Sequence, residues 1–390
     1  MRIAMIGTRG VPARYGGFET AVEEVGRRLA ARGHEVTVYC RASSGPGRAR
    51  PEEYAGMRLV HLPAVRVRAL ETLSHTAFSV GHVLRRGDVD TVLVFNAANS
   101  VFLPLLRLRR LPTATHVDGL EWRRGKWGRG GQAYYRLAES LAVRWSDRLI
   151  ADAKGIADYY RDEFGATSDE IAYGAPLLGD VGDDKLAAVG VHPGRYHLVV
   201  ARLEPENHVD LIIMGYLRSR AALPLVIVGS APYRSAHSEQ VRRLAAGRPA
   251  LRLLGGVWDQ GQLDQLYANA ATYIHGHSVG GTNPSLLRAM GAATPTLAYD
   301  VSFNRDVLGP AGRFFADADT LARELERAEA DPDELTALGD ELARRAATVY
   351  TWEEVTDGYE RLCRELMKGH SQRGRVPGRR RPSSGWQRHL

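Results

Sequence analysis

"RIAMIGTRGVPARYGGFETAVEEVGRRLAARGHEVTVYC", residues 2–40, decides the fold. Residues 2–7 form a short apolar run that suits a buried strand, and glycines with a proline then break it. An amphipathic helical period follows over 19–33 and stops at Gly33, and "HEVTVYC" (34–40) is strand-like again. Strand, glycine-rich loop, helix, strand is the repeating unit of a parallel sheet covered by helices.

The alternation continues outward from this unit. Strands are expected at 91–95, 113–117 and 148–152 in the first half. The second half restarts at "YHLVVAR" (196–202) and continues at 224–230, 251–256, 271–276 and 294–300. The polar stretch 183–195, with its Gly and Pro, reads as a linker. The fold class is α/β: two doubly wound Rossmann-like domains, expected to face each other across a cleft lined by the loops at their strand ends. Residues 1–185 make the first domain and 186–349 the second.

The bulk composition fits this size. The 390 residues are 44% hydrophobic and 25% charged, enough for two full cores in an ordinary globular chain. Two cysteines, Cys40 and Cys363, form no framework and no CxxC motif, so reduced thiols and a cytoplasmic setting are expected. "MRIAMIG" is too short for a signal peptide, and the most apolar window (91–106) contains two asparagines and a proline, against a membrane span. The net charge of +7 is uneven: residues 1–190 hold 27 basic and 22 acidic side chains, and 191–367 hold 18 and 23. Residues 368–390 carry seven Lys/Arg and no acid. That tail reads as disordered, and three uses stay open: a solubilising extension, contact with an anionic membrane surface, or nucleic acid, the last weakest.

Three stretches carry candidate chemistry. "GTRGVPARYGGFET" (7–20) links a strand to a helix, where Gly16 and Gly17 let backbone approach a ligand or simply serve the turn. It is neither GxGxxG nor a P-loop, which speaks against nicotinamide cofactors and ATPase chemistry. "ARLEPENHVDLII" (201–213) delivers Arg202 to a strand end, where a fixed cation suits a diphosphate. In "HSVGGTNPSLLRAM" (277–290), Asn283 is a natural helix cap and Pro284 a natural first helical residue, so the bare amides before them suit an anion. Arg288 follows within little more than a turn.

Read together, "IGTRGVPARYGGFET", "VDGLEWRRGKWG" (117–128), "IADAKGIADYY" (150–160), "IAYGAP" (171–176), "RLEPEN" (202–207), "YIHGHSVGGTNPSLL" (273–287) and "FNRDVLG" (303–309) resemble the family 4 glycosyltransferases of two-Rossmann (GT-B) architecture. The narrower resemblance is to the bacterial branch of capsule-type rhamnosyltransferases. It spans about residues 2–367. The resemblance implies a sugar moved from a nucleotide diphosphate donor to a glycan, lipid-linked or small-molecule acceptor, with retained anomeric configuration, no cofactor and no metal. It also implies that a helix over 350–367 packs back on the N-terminal domain, before the basic tail 368–390. Localisation would be cytoplasmic or peripheral at the inner face of the membrane.

Residue by residue, the resemblance makes Arg202 the neutraliser of the donor pyrophosphate, beside Glu206. Asn207 stands where most members have a lysine. Gly280, Gly281, Thr282 and Asn283 match the loop under the donor sugar and phosphate, with Ser278 beside it, and Gly16 and Gly17 match the loop that closes over the diphosphate. Asp118 takes the place of the usual histidine near the reacting sugar, as a carboxylate that orients a hydroxyl or accepts its proton. Glu121, Trp122 and Lys126 fall on the acceptor side, and His116 on the strand. Arg288 departs most, replacing the glutamate that holds the ribose hydroxyls. An arginine accepts no proton, which leaves a phosphate contact, a structural pairing with Asp300 or Asp306, or a lost activity. The rival from another class is a non-catalytic nucleotide-sugar-binding protein.

Overall fold

The structure, a computed structural model, describes residues 1–13, 16–42, 50–65, 70–117, 120–124, 127–230 and 235–373. It divides into two compact units. In the first, strands β1 (Arg2–Ile6), β2 (Glu35–Arg41), β3 (Glu53–Tyr54), β4 (Met57–Leu62), β5 (Thr91–Phe95), β6 (Thr113–Val117), β7 (Arg148–Ala151) and β8 (Asp169–Glu170) form one sheet. Their order is β3-β4-β2-β1-β5-β6-β7-β8, parallel except where β3 meets β4. Helices α1 (Gly17–Ala31), α2 (Glu71–Arg86), α3 (Leu103–Leu108), α4 (Arg129–Trp145) and α5 (Lys154–Phe164) connect them. Strands β5 and β6 are buried along their whole length, which explains why they read as continuous apolar or small-residue runs instead of alternating patterns.

The second unit repeats the grammar. Strands β9 (His197–Val200), β10 (Leu225–Val228), β11 (Leu251–Gly255), β12 (Thr272–His275), β13 (Thr296–Tyr299) and β14 (Arg313–Phe315) lie in the order β11-β10-β9-β12-β13-β14, all parallel. Helices α6 (Val209–Arg218), α7 (Ala236–Ala245), α8 (Gln260–Ala268), α9 (Pro284–Gly291), α10 (Ser302–Leu308), α11 (Ala318–Ala330) and α12 (Pro332–Val349) connect and cover them. The core gathers Val199, Ile212, Ile227, Ile274, Leu297 and Phe315 from sheet and helices alike. The expected two doubly wound α/β layers are therefore both present.

The chain passes from the first unit to the second between Tyr173 and Gly174. Residues 183–195 belong to the second unit, where Leu186 and Val191 are buried and the Lys185 amide donates to Gln265 Oε1 at 2.8 Å. The last helix, α13 (Trp352–Met367), returns to the first unit. Its apolar face, Trp352, Val355, Tyr359, Leu362 and Leu366, repeats every three to four residues and is buried. Opposite charges fix its register on α1: Arg28 binds Glu353 at 2.8 Å, and Arg32 reaches Glu353, Asp357 and Glu360 at 2.9, 2.6 and 2.8 Å. Beneath them, Tyr359 OH meets Nδ1 of His116 on β6 at 2.8 Å.

Cys40 and Cys363 are free and buried, and burial raises their thiols to about 11 and about 12. No helix among the described residues is long and apolar enough to cross a membrane.

Close backbone contact fixes where α9 ends. A Cβ added to Gly291 would lie 1.9 Å from the carbonyl oxygen of Pro176, whereas one added to Gly81 in the middle of α2 meets nothing within 4 Å. Gly291→Ala is expected to cost about 3 kcal/mol of stability, and Gly81→Ala to add about 1 kcal/mol through helix propensity. Urea titration of the two variants beside the parent chain checks both signs.

Candidate functional site

In an open parallel sheet, ligands bind beyond the carboxyl ends of the strands, where the strand order reverses and the flanking helices part. In the second unit that point lies between β9 and β12, which pair at His197 with Thr272 and Leu198 with Tyr273. The loops leaving these two strands hold Arg202, Glu206 and Asn207 on one side and Ser278 to Asn283 on the other.

The loops are locked together. Gly276 lies so close to the first loop that an added Cβ would sit 2.2 Å from the carbonyl oxygen of Asn207. Asn207 Nδ2 donates to the carbonyl of Arg202 at 2.8 Å, which fixes the amide and leaves Oδ1 facing His277 Nδ1 at 2.7 Å. A carbonyl oxygen only accepts, so His277 carries its proton on Nδ1. Its other nitrogen, Nε2, would lie 3.5 Å from a Cβ added to Gly280. Burial, followed by the charges of Arg124, His275 and Arg202, holds the His277 imidazole well below its usual range. Around this pair, His208 Nε2 contacts Ser278 Oγ at 2.9 Å and its ring stacks 4.3 Å from that of Tyr299. Ser278 donates from its backbone amide to the Glu206 carbonyl at 2.9 Å, and Asn304 Nδ2 donates to the His277 carbonyl at 3.0 Å.

Two features of the loop ends suit an anionic, hydroxyl-bearing ligand. Asn283 caps α9 by accepting from the Ser285 amide at 2.9 Å, with Pro284 first in the helix and Gly280 at φ 126°. Gly280 and Gly281 add no side chain of their own at the approach to the helix end, beside the buried Thr282, and the Arg124 guanidinium reaches this place: its Nη2 would lie 3.8 Å from a Cβ added to Gly280. Arg202 is exposed at the end of β9. Glu206 is only 5% exposed, yet among the described residues neither carboxylate oxygen has a hydrogen-bond partner; Arg124 stands 3.9 Å away. A buried carboxylate without donors is costly, and a ligand that brings hydroxyls relieves the cost.

Arg288 is not paired with Asp300, which holds Arg305 at 2.5 Å through Oδ1. Arg288 instead forms an ion pair with Asp264 on α8, which also accepts from Gln260 at 3.0 Å. Arg288 is thus held structurally, but by neither Asp300 nor Asp306 as expected: its partner sits on the preceding helix, α8, which packs against α9.

In the first unit the equivalent reversal lies between β1 and β5. Gly7, at φ 99°, turns the chain out of β1, and its carbonyl accepts from Asn99 Nδ2 at 3.3 Å. Gly16, at φ 108°, starts α1, with Gly17 the first helical residue. Glu19 and Glu23 of α1 bind the backbone amides of Arg9, at 3.1 Å, and Ala13. Two of the loop's amides are therefore already held by the helix that follows.

Glu121 is buried and accepts from Trp127 Nε1 at 3.3 Å. Trp122 donates to Tyr159 OH at 3.4 Å and is flanked by the guanidiniums of Arg123 and Arg136 at 5.1 and 4.8 Å. His116 lies inside β6, as read from sequence, and burial lowers it to about 3. Asp118 and Lys126 lie outside the described residues. No cluster of His, Cys, Asp or Glu suited to a metal ion occurs among the described residues.

Two doubly wound parallel sheets, the second with a switch-point site suited to an anionic ligand, define a two-Rossmann class. Residues 16–174 match the glycosyl transferase 4-like domain and residues 190–345 the glycosyl transferases group 1 family, about four fifths of the chain between them. The chain belongs to these glycosyltransferases. No curated protein sequence matches it. Similar solved structures include sucrose-phosphate synthase from Thermosynechococcus elongatus, with a TM-score of 0.79 at 19% identity over 94% of this chain and 99% of that one. Anabaena HepE, solved with UDP and glucose, aligns with a TM-score of 0.75 at 16% identity over 93% of this chain and 98% of its own. An α,α-trehalose-phosphate synthase (UDP-forming) from Burkholderia vietnamiensis gives 0.70 at 11% over 94% and 100%.

His275 and His277 are both buried and neutral, with His275 lowered by burial to about 3. A histidine whose folded pKa is depressed contributes stability above its unfolded value of about 6.5 and loses it as pH falls towards the folded value. At pH 5 this amounts to about 2 kcal/mol per histidine. Urea midpoints between pH 7 and pH 5 are expected to fall, and His275→Gln to flatten that slope by the share of one histidine.

Proposed function

We propose that this chain transfers a hexosyl group, with retained anomeric configuration, from a nucleotide diphosphate sugar to a glycan, lipid-linked or small-molecule acceptor. Rhamnose is the sugar favoured by the branch that its motifs resemble. The observation that carries this reading is the site at the β9/β12 reversal. An exposed arginine and a glycine-led helix start lie beside a buried carboxylate, Glu206, that no hydrogen-bond donor among the described residues satisfies.

In the proposed mechanism Arg202 and the amides of Gly280, Gly281, Thr282 and Asn283 neutralise the charge that develops on the departing diphosphate. Such donors, fixed before the reaction begins, stabilise charge without reorganising. Glu206 accepts hydroxyl protons of the bound donor. Asn207 replaces the family's lysine as a positioning residue: it holds the Arg202 backbone and the His277 ring and adds no charge. With no side chain of the described site placed as a nucleophile, the reaction is front-face, and the leaving phosphate receives the acceptor's proton. Asp118, assigned by sequence position, orients the acceptor, with Gly16, Gly17, Glu121, Trp122 and Lys126 on that side. No metal is required for these steps.

Arg288 supports a second reading, in which the chain binds nucleotide sugars without turnover. Its ion pair with Asp264 favours a structural arginine and an intact site. The two readings separate on one experiment, in which the purified protein is screened against a panel of nucleotide sugars for thermal stabilisation, hydrolysis and transfer. Arg202→Ala is expected to lower turnover with the stabilising donor by roughly ten- to a thousand-fold, the scale for loss of one preorganised donor. Unchanged transfer by that variant sinks the assigned role. Stabilisation without hydrolysis or transfer by the parent chain establishes the binding-only reading.

A further inference from the structure

The glycine loop and the segment Glu121–Arg123 lie at the carboxyl edge of the first unit's sheet. The opposite edge, where β6 and β7 begin, carries a groove of about 440 Å³ lined by Arg107, Arg110, Leu111, Pro112, His370 and Arg373 among others. Its one acidic lining residue, Asp147, is satisfied from three sides: the Thr113 amide, Ser371 Oγ and Arg373, at 3.0, 2.9 and 3.0 Å. Arg107 and Arg110 are therefore uncompensated by any acid lining the groove.

The helix beside the groove has leucines on both its buried and its exposed face. Leu103 and Leu106 of α3 anchor it in the core. Leu105 and Leu108, three residues apart and so on one face, are 43% and 81% exposed. Arginines surround them: Arg107, Arg109 and Arg110 are all exposed, and Arg107 and Arg144 stack on Trp145 at 5.2 and 5.6 Å. The chain also leaves the described structure here. Arg373 closes the groove, and residues 374–390 add five arginines, a tryptophan and no acid.

We propose that this corner of the first unit docks on an anionic lipid bilayer, with Leu105 and Leu108 entering the headgroup–acyl boundary and the arginines meeting lipid phosphates. Apolar side chains inserted among cations are the signature of interfacial binding, since two marginal attractions add. Nucleic acid would use the arginines but gain nothing from Leu108. The face is separate from the candidate donor site, so the inference does not depend on the reaction.

Flotation of the full-length protein with phosphatidylglycerol-containing and pure phosphatidylcholine vesicles tests it. Recovery is expected with anionic vesicles at low salt and to decline as salt rises. Full-length R107Q/R110Q is expected to partition about twenty-five-fold less, near fivefold per arginine, and L105N/L108N several-fold less at equal charge. Unchanged thermal midpoints show that these exposed substitutions leave the fold intact. A full-length variant with Arg375, Arg379, Arg380, Arg381 and Arg388 changed to Gln is expected to keep part of the binding. Partitioning that ignores the leucine pair, that disappears entirely with the tail arginines, or that is matched by leucine-independent binding to duplex DNA overturns the proposal.

Discussion

Everything proposed at the second unit's site depends on one side chain seated between two loops. Asn207 joins the Arg202 backbone to the His277 ring, and the contact exists because Gly276 lets the second loop press against the first. Beside the Ser278–Glu206 and His208–Ser278 contacts, it ties the exposed arginine at the end of β9 to the loop that leads into α9. An oxyanion site works only when its donors are in place before charge develops. An amide does this better here than an ammonium, because it both donates and accepts and thereby sets the tautomer of a buried histidine.

The interior strands were legible as short runs of β-branched, apolar and small residues free of Gly and Pro: 91–95 and 113–117 are copied residue for residue in β5 and β6. The edges were not. β3 and β8 are two residues each, β14 is three, and β4 is half exposed, so none carries enough pattern to separate from loop. The helix start at Pro284 was legible from its Asn-Pro pair, and the structure caps it as capping chemistry requires. The histidine at 277 left no signal beyond its letter, since its meaning comes from a partner 70 residues away. Asp264 was likewise invisible, because nothing local marks an aspartate on α8 as the counter-ion of an arginine on α9.

That ion pair also changes how the departure at position 288 is understood. A lone arginine in a nucleotide site would alter its field. One held by a carboxylate on the neighbouring helix contributes little net charge and ties α8 to α9. The substitution is therefore compatible with an intact anion site, whose positive end stays at Arg202 and the loop amides. The buried and hydrogen-bond-poor Glu206 is the better marker of a place that suits a hydroxyl-bearing ligand.

The return of α13 to the first unit has a consequence in time. His116 and Tyr359 touch across 243 residues of chain, and the described part of the second unit lies between them, so the first sheet lacks the cover of α13 until residues 174–351 have been made. During synthesis from the N-terminus, the unit begun first is the one completed last. Until α13 arrives, the first unit shows water the apolar flank that this helix covers, the kind of surface that makes an incomplete domain prone to aggregation.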